Sequence, residues 1–275
     1  DPELIKRHGQ LTGQLLRFFG FNLDLCPVLD ISYDDSADNS LKGRTYGKDP
    51  QQVITNAGIF NRALRKELSN PYSLCLPGPA PGIRQANVRG PRFDRDFQAW
   101  SAPFVMAAIN VRIVLRSNAL LDYRYGREFR YDEAMLTGKG MAGRLKAAGV
   151  TAGLGGFVAA AAIAPTRWLM EKTVLPAPGE GPSPVAQEKG FYDFRFVGRT
   201  ADGRELRVKV TGDRDPGYGS TAKILGEAAA CLARDMDRDA VGGGFWTPAT
   251  ALGAALHARL TTHAGLTFEV TDPSA

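Results

Sequence analysis

The sequence is poor in the residues that build metal centres and disulfide frameworks. Its three cysteines are far apart and include no CxxC pair: Cys26, Cys75 and Cys231. An odd number of scattered cysteines argues against a zinc site and a disulfide scaffold, and it favours a reducing compartment. His257 and His263 are six residues apart and fall on different faces of a helix, so we expect no shared metal.

Charge of one sign is not concentrated in any part of the chain. The net charge is +5, the basic residues are dispersed, and no alternation of aromatic and basic residues forms a stacking platform. Nucleic-acid binding is therefore not expected. The N-terminal residues also lack the pattern of a secretory signal peptide, so we predict a cytoplasmic protein. With 44% hydrophobic and 23% charged residues, the 275-residue chain has the composition of a folded protein.

One long run contains no charge. Residues Ala147 to Thr166 lie between Lys146 and Arg167, and their number is about the ~20 residues that a spanning helix needs. Alanine and glycine dominate the run, which lowers its hydrophobic gain below that of a leucine-rich span. Two predictions stay open. The run is either a helix buried in protein, or against a partner subunit such as a second copy in a homodimer, or a segment at a membrane or lipid surface.

The last third of the chain has the pattern of an α+β unit. Apolar and charged residues alternate over residues 192–196 and again over 206–210, with a turn between them. This predicts a two-stranded antiparallel hairpin with one wet face. Helices predicted from near Ser220 and from Thr247, and a short strand over residues 266–270, complete the unit.

A helix is predicted in the middle of the chain. Ser101 has the character of an N-cap and Pro103 that of a first-turn residue, and the apolar pattern continues to about Leu121. A polar stripe runs along this helix and supplies the candidate substrate-binding residues: Asn110, Arg112, Arg116 and Asn118. The two arginines either form salt bridges to neighbours or line an anionic-ligand or cofactor-facing cleft.

The N-terminal part has a different texture. A helix over residues 4–19 and a buried strand over 22–31 precede a second helix that begins at Pro50. After about Lys66, five prolines within about twenty residues favour an extended linker. We therefore predict three parts: residues 1–66, a proline-rich linker over 67–99, and a C-terminal α+β domain over 100–275.

The first part resembles a known enzyme family. The segment LTGQLLRFFGFNLDLCPVLDISYDDSADNSLKGRTYGKDPQQVITNAGIFNRALR is similar to the early catalytic barrel of family-3 glycoside hydrolases. The resemblance implies an incomplete β/α barrel fragment in which Asp30 contacts sugar hydroxyls. The lysine–histidine motif and the nucleophile of that family are missing, and retaining hydrolysis requires two carboxyl groups about 5 Å apart. Asp30 is therefore interpreted as a vestigial sugar-binding residue.

The second resemblance covers about residues 70–270. The segments INVRIVLRSNALL and YRYGREFRYDEAMLTGKG are similar to the C-terminal domain of saccharopine-dehydrogenase-like reductases, which include trans-acting enoyl reductases. The NADP-binding domain of that family precedes this region, so the resemblance implies no cofactor in this chain. Gly138, Gly140 and Gly143 spell GxGxxG. We expect no dinucleotide site there, because no apolar strand is predicted before the motif and no acidic residue follows about 20 positions later.

Together these observations predict an α+β chain that combines pieces of two families, with a C-terminal antiparallel sheet and packed helices. The predicted function is the substrate-binding or dimerisation part of a saccharopine-dehydrogenase-like or trans-acting enoyl reductase, without catalytic residues of its own. Two alternatives stay open. One is an NADP-dependent oxidoreductase that acts on lipid or polyketide-type substrates with the cofactor bound in trans. The other is a sugar-binding remnant of a glycoside hydrolase.

Overall fold

A computed structural model provides the fold of the chain. It describes residues 2–7, 10–11, 50–75, 82–173, 181–237, 239 and 241–271. The main helices and strands within these residues, in chain order, are α1 (Pro50–Ser69), β1 (Arg92–Asp94), β2 (Ala99–Pro103), α2 (Ala107–Leu120), β3 (Ala134–Gly138), α3 (Gly140–Ala162), α4 (Ala164–Thr173), α5 (Pro184–Lys189), β4 (Tyr192–Arg199), β5 (Glu205–Gly212), α6 (Gly219–Arg234), α7 (Pro248–Ala251), α8 (Gly253–His263) and β6 (Leu266–Thr271). This mixture of helices and antiparallel sheets confirms the predicted α+β class. Asp30 and most of the predicted barrel fragment lie outside the described residues.

Backbone contacts divide the chain into two compact units. Unit 1 combines Asp1–Ala86 with Met106–Asp132, and unit 2 combines Asn87–Val105 with Glu133–Ala275. This grouping follows contacts in space, whereas the predicted parts 1–66, 67–99 and 100–275 follow changes in residue composition along the sequence. Helices α1 and α2 belong to unit 1, and both sheets belong to unit 2.

Helix α1 begins at Pro50, as predicted from the preference of proline for the first turn of a helix. Ala57, Phe60 and Ala63 are buried at the three-residue spacing that places them on one side of the helix. Ile54, three residues before Ala57, is exposed, so not every apolar residue of this helix is buried.

The helix predicted from Ser101 begins six residues later, at Ala107. Ser101 belongs to strand β2, where its hydroxyl donates to the carbonyl oxygen of Arg92 at 3.1 Å. β2 is the central strand of the first sheet and pairs antiparallel with both β1 and β3. The prediction was wrong because Ser101 satisfies its hydroxyl across the sheet instead of capping a helix. Pro103, which lacks an N–H, stands at the last position of the strand.

A glycine turn joins the first sheet to helix α3. Gly138 ends strand β3 with φ +111°, Gly140 has φ +62°, and α3 begins at Gly140. A strand therefore does precede the GxGxxG motif, although none was predicted there. Met135 and Leu136 on this strand are exposed, so it is not the buried apolar strand that a dinucleotide site uses. It is held by backbone pairing to β2 and by Thr137, whose hydroxyl lies 3.0 Å from the carbonyl oxygen of Trp100.

The predicted hairpin is confirmed in the second sheet. Strands β4 and β5 pair antiparallel in the register Phe194↔Val210 and Phe196↔Val208, and β6 adds a third antiparallel strand. Helices α6, α7 and α8 contribute to the hydrophobic core beside this sheet. Its buried members are Cys231, Leu252, Leu256, Leu260, Ala264 and Leu266.

The uncharged run forms most of α3, the break at Ile163 and the start of α4. The first turns of α3 pack on the first sheet, where Ala147 is fully buried. Farther along the helix, Phe157 is 47% exposed and Val158 is 60% exposed. Burial of these side chains within the chain was therefore a wrong prediction, while a partner subunit or a lipid surface stays a prediction. Among the described helices, none has the length and apolar character needed to cross a membrane.

Candidate functional site

A tight turn in unit 1 follows helix α1. The helix ends at Ser69, and Asn70 lies outside it because Pro71 disfavours the helical conformation in the residue before it. The side-chain oxygen of Asn70 accepts a hydrogen bond from the backbone N–H of Tyr72 at 3.0 Å, and the N–H of Cys75 donates to the carbonyl oxygen of Tyr72 at 2.9 Å. Asn70 and Pro71 thus begin a turn that these two hydrogen bonds close.

Tyr72 and Gln85 form a polar network beside this turn. The Tyr72 hydroxyl donates to the carbonyl oxygen of Ile83 at 2.9 Å and accepts a hydrogen bond from the Gln85 amide. The same Gln85 amide nitrogen donates to the carbonyl oxygen of Phe129 at 3.1 Å, and the Gln85 side-chain oxygen accepts from the N–H of Tyr131 at 3.0 Å. The network therefore fixes the backbone of three separate segments of unit 1.

The turn over residues 70–72 and the segment over 82–85 line an open cleft of about 380 Å³. The described residues that line it are Asn70, Pro71, Tyr72, Gly82, Ile83, Arg84 and Gln85. Arg84 is exposed and is the one charged residue among them. Because a guanidinium has five N–H donors and no described lining residue is acidic, the cleft suits an anionic ligand such as a phosphate or a carboxylate.

Two of the predicted site residues donate hydrogen bonds to the turn that follows helix α1. The Arg112 Nε atom donates to the carbonyl oxygen of Asn70 at 3.4 Å, and an Arg116 guanidinium N–H donates to the carbonyl oxygen of Leu74. Both arginines therefore hold the turn that carries Tyr72. Burial lowers the pKa of Arg112, which still stays charged at neutral pH because arginine starts from a very high value. Burial raises the pKa of the neighbouring Cys75 thiol, and the charge of Arg116 opposes that effect.

The other two predicted residues lie elsewhere on α2. Asn118 is 3% exposed, and its amide joins both sides of the next turn: the oxygen accepts from the N–H of Tyr125 and the nitrogen donates to the carbonyl oxygen of Gly126, each at 2.9 Å. This turn contains Asp122 and Tyr123 with positive φ, so it depends on such hydrogen bonds. Asn110 is half-buried near the start of the helix. The structure thus brings Arg112 and Arg116 into contact with the turn that follows helix α1, whereas Asn118 bonds to the turn after α2.

Sequence reasoning missed Tyr72, Arg84 and Gln85, because the prolines around them indicated a linker. The Asn70–Pro71 pair is a turn signal that was present in the sequence. The role of Gln85 was not visible, since its partners Phe129 and Tyr131 lie more than forty positions away.

The GxGxxG segment of unit 2 has part of the geometry of a dinucleotide site. A strand, a glycine turn and a helix follow one another, and a Cβ on Gly143 would lie 2.1 Å from the carbonyl oxygen of Gly138. The described strands of this sheet are all antiparallel, whereas a dinucleotide site uses a parallel βαβ unit followed by an acidic residue. These residues therefore do not fit NADP. Within the described residues, no group of three or more histidine, cysteine or acidic side chains is placed to hold a metal ion.

The described residues thus form an α+β chain with an open cleft in unit 1. The chain is similar to trans-acting enoyl reductases of mycobacteria. The trans-acting enoyl reductase of Mycobacterium tuberculosis strain H37Rv and that of Mycobacterium bovis are each 39% identical over 206 residues, which are 71% of this chain and 49% of the relative. A further M. tuberculosis protein with a related name is 38% identical over 218 residues, 75% of this chain and 51% of that protein.

The chain spans about half the length of these curated relatives. No family model matches the sequence, and no solved structure matches it. The enoyl-reductase part of the predicted resemblance is thus supported by relatives over about three quarters of the chain. The resemblance to family-3 glycoside hydrolases has no such support.

Proposed function

We propose that this chain is the C-terminal, substrate-binding part of a trans-acting enoyl reductase. The observation that carries the proposal is the 38–39% identity to proteins of that name over 71–75% of the chain. The relatives are about twice as long as the matched region, which leaves room for an NADP-binding domain outside it. In this proposal the nicotinamide supplies the hydride, and the present residues hold the substrate.

The cleft of unit 1 is the proposed substrate site. An enoyl reductase acts on a carbon–carbon double bond conjugated to an acyl carbonyl, and such acyl groups are carried as thioesters on a phosphate-bearing arm. Arg84 offers a cation to that phosphate, with no described acidic lining residue to compete. Tyr72 and Gln85 are already engaged with each other and with backbone groups, so they shape the wall. Arg112 and Arg116 are positioning residues that hold the same wall.

The test is calorimetric titration of the chain with trans-2-octenoyl-coenzyme A. We expect Arg84→Ala to weaken binding about tenfold, because each lost charge-assisted contact to phosphate contributes roughly 1.5–3 kcal/mol. Arg89→Ala removes an exposed arginine outside the cleft and is the matched control, with unchanged affinity expected. An equal loss of affinity in both variants would show that only the net charge of the protein matters. Tight binding that Arg84→Ala leaves unchanged would show that the substrate binds outside this cleft.

The alternative is an NADP-dependent oxidoreductase. If the cofactor bound to this chain and not in trans, the strand–turn–helix segment at Gly138 to Gly143 would be the place to test. Because a parallel neighbour for β3 and the acidic residue of the fingerprint are both missing from the described residues, we expect NADPH binding to be weak and nonspecific. A fluorescence titration with NADPH checks this. Micromolar affinity that Gly140→Ala abolishes, with an unchanged melting temperature, would favour this alternative.

A further inference from the structure

Helix α3 and the following α4 expose several large apolar side chains. Beyond its first turns, α3 exposes Phe157 and Val158, the break exposes Ile163, and α4 exposes Trp168 and Leu169. Nearly half or more of each of these five side chains is accessible. Isolated exposed apolar residues are common in proteins, but five large ones on two consecutive helices indicate an interaction surface.

The charges around this surface have one predominant sign. Between Ala134 and Thr173 the sequence contains five basic residues and one acidic residue, Glu171. The basic residues flank the uncharged stretch on both sides: Lys139, Arg144 and Lys146 before it, Arg167 and Lys172 after it. Lys172 lies over the ring of Trp168, with its ammonium 4.3 Å from the ring centroid. The surface therefore combines an apolar centre with cationic ends.

This distribution of charge distinguishes between the partners that could bind to the exposed apolar side chains. A second copy of the chain, related by a two-fold axis, would place the same patch against itself and bring its cations together. An anionic lipid surface instead attracts juxtamembrane lysine and arginine and accepts apolar side chains between its headgroups. We propose that the surface formed by α3 beyond Ala147 and by α4 binds peripherally to an anionic lipid membrane.

The dimensions of the helix agree with a position in the plane of the membrane surface. The 16 residues of α3 from Ala147 onward extend about 24 Å at the rise of ~1.5 Å per residue, which is less than the ~30 Å hydrocarbon core. Trp168 has the amphipathic ring that concentrates at the level of lipid headgroups. The helix break at Ile163 places Trp168 and Lys172 on a separate short helix after the uncharged stretch.

The experiment is flotation of the full chain with phosphatidylcholine vesicles, with and without phosphatidylglycerol. We expect binding to the anionic vesicles, with at least tenfold weaker binding to the neutral ones and in high salt. Val158→Asp should reduce binding to anionic vesicles at least tenfold. Val270→Asp replaces a valine that is 69% exposed on the second sheet and serves as the matched control, with unchanged binding. Both variants should retain the wild-type melting temperature.

Three results would overturn the proposal. One is a wild-type chain that does not float with anionic vesicles, and another is equal loss in the Val158→Asp and Val270→Asp variants. The third is a stable dimer, seen by sedimentation without lipid, that Val158→Asp dissociates, because the occupant would then be a second copy. None of these results depends on Arg84, so the membrane proposal and the substrate-site proposal fail separately.

Discussion

The two sheets of unit 2 have the same number of strands, but the helices that pack beside them bury side chains of different size. Each has three antiparallel strands in sequential order. The first sheet is covered by the first turns of α3, where Ala147 is fully buried and a Cβ on Gly143 would lie 2.1 Å from the carbonyl oxygen of Gly138. The second lies beside helices that bury larger side chains, including Cys231, Leu256 and Leu260.

This difference has a physical consequence. Small side chains bury little apolar area, so the first sheet depends on backbone pairing and on a close approach that leaves no room for a Cβ. The second sheet depends on the volume of buried leucines, which tolerates small shifts but not large cavities. Adding atoms between α3 and the first sheet should therefore destabilise the protein, whereas the core beside the second sheet should be destabilised by removing atoms.

The largest effect is expected at Gly143. A Cβ there would lie 2.1 Å from the carbonyl oxygen and 2.4 Å from the carbonyl carbon of Gly138, and both are backbone atoms. We expect Gly143→Ala to lower the free energy of unfolding by about 3 kcal/mol or more. Gly149→Ala, on the same helix with no atom within 4 Å of its Cβ position, should instead stabilise by up to about 1 kcal/mol. Denaturant unfolding of both variants distinguishes the two sites, and equal effects would contradict the close-approach account.

The second sheet should respond to lost volume. Leu256→Ala empties part of the core and should cost about 2–5 kcal/mol in the free energy of unfolding. Leu225→Ala removes the same atoms from α6 where the side chain is 69% exposed, so its effect should stay within about 0.5 kcal/mol. Urea titrations of the two leucine variants measure both values. A small cost at Leu256 would show that the second core is not close-packed.

A smaller effect is expected where the helices of the second core begin. Thr247 precedes Pro248, its N–H donates to the Thr250 hydroxyl at 3.1 Å, and the two hydroxyls lie 3.0 Å apart. Thr247→Ala should cost about 1 kcal/mol, because it removes the side chain at an N-cap position. Thr262→Ala, near the other end of α8, is the control, and thermal unfolding compares them. An equal change in both variants would contradict a capping role for Thr247.

The smallest effect concerns acid stability. Asp96 forms an ion pair with Arg199, and this hydrogen bond lowers the pKa of the Asp96 carboxyl. A carboxyl with a depressed folded pKa stabilises the protein above its unfolded value of about 4, and that contribution is lost as pH falls through the folded pKa. Asp96→Asn should therefore be less stable than wild type at neutral pH and converge with it in acid. Unfolding curves across acidic pH check this, and a difference that persists in acid would contradict the ion-pair account.

The same contrast explains what the sequence could predict. Strands β4 and β5 alternate apolar and polar residues. This alternation alone made the hairpin predictable, together with the face of the sheet on which each side chain lies. Strands β1 and β2 are short, and β2 carries buried Ser101 and Ala102 followed by Pro103, a pattern that also suits a helix start. Pairing with the neighbouring strands determines the structure of these residues, and their local conformational preference does not.

The candidate site shows the same limit. Arg112 and Arg116 were predictable as a polar stripe, but their carbonyl partners at Asn70 and Leu74 are about forty positions away. Arg84 had no local signal, since a single arginine among prolines carries no periodicity. Its significance comes from a cleft that only the folded unit 1 encloses.

The most direct test of the proposed function is a transplant into a relative. The half of the M. tuberculosis trans-acting enoyl reductase that this chain does not match would be fused to this chain, and NADPH oxidation would be followed with an enoyl thioester. The intact relative and the relative without its matched half are the controls. We predict that the fusion consumes NADPH and yields the saturated thioester, and that Arg84→Ala slows it mainly by raising KM. A folded fusion that binds NADPH but reduces no enoyl thioester would contradict the account.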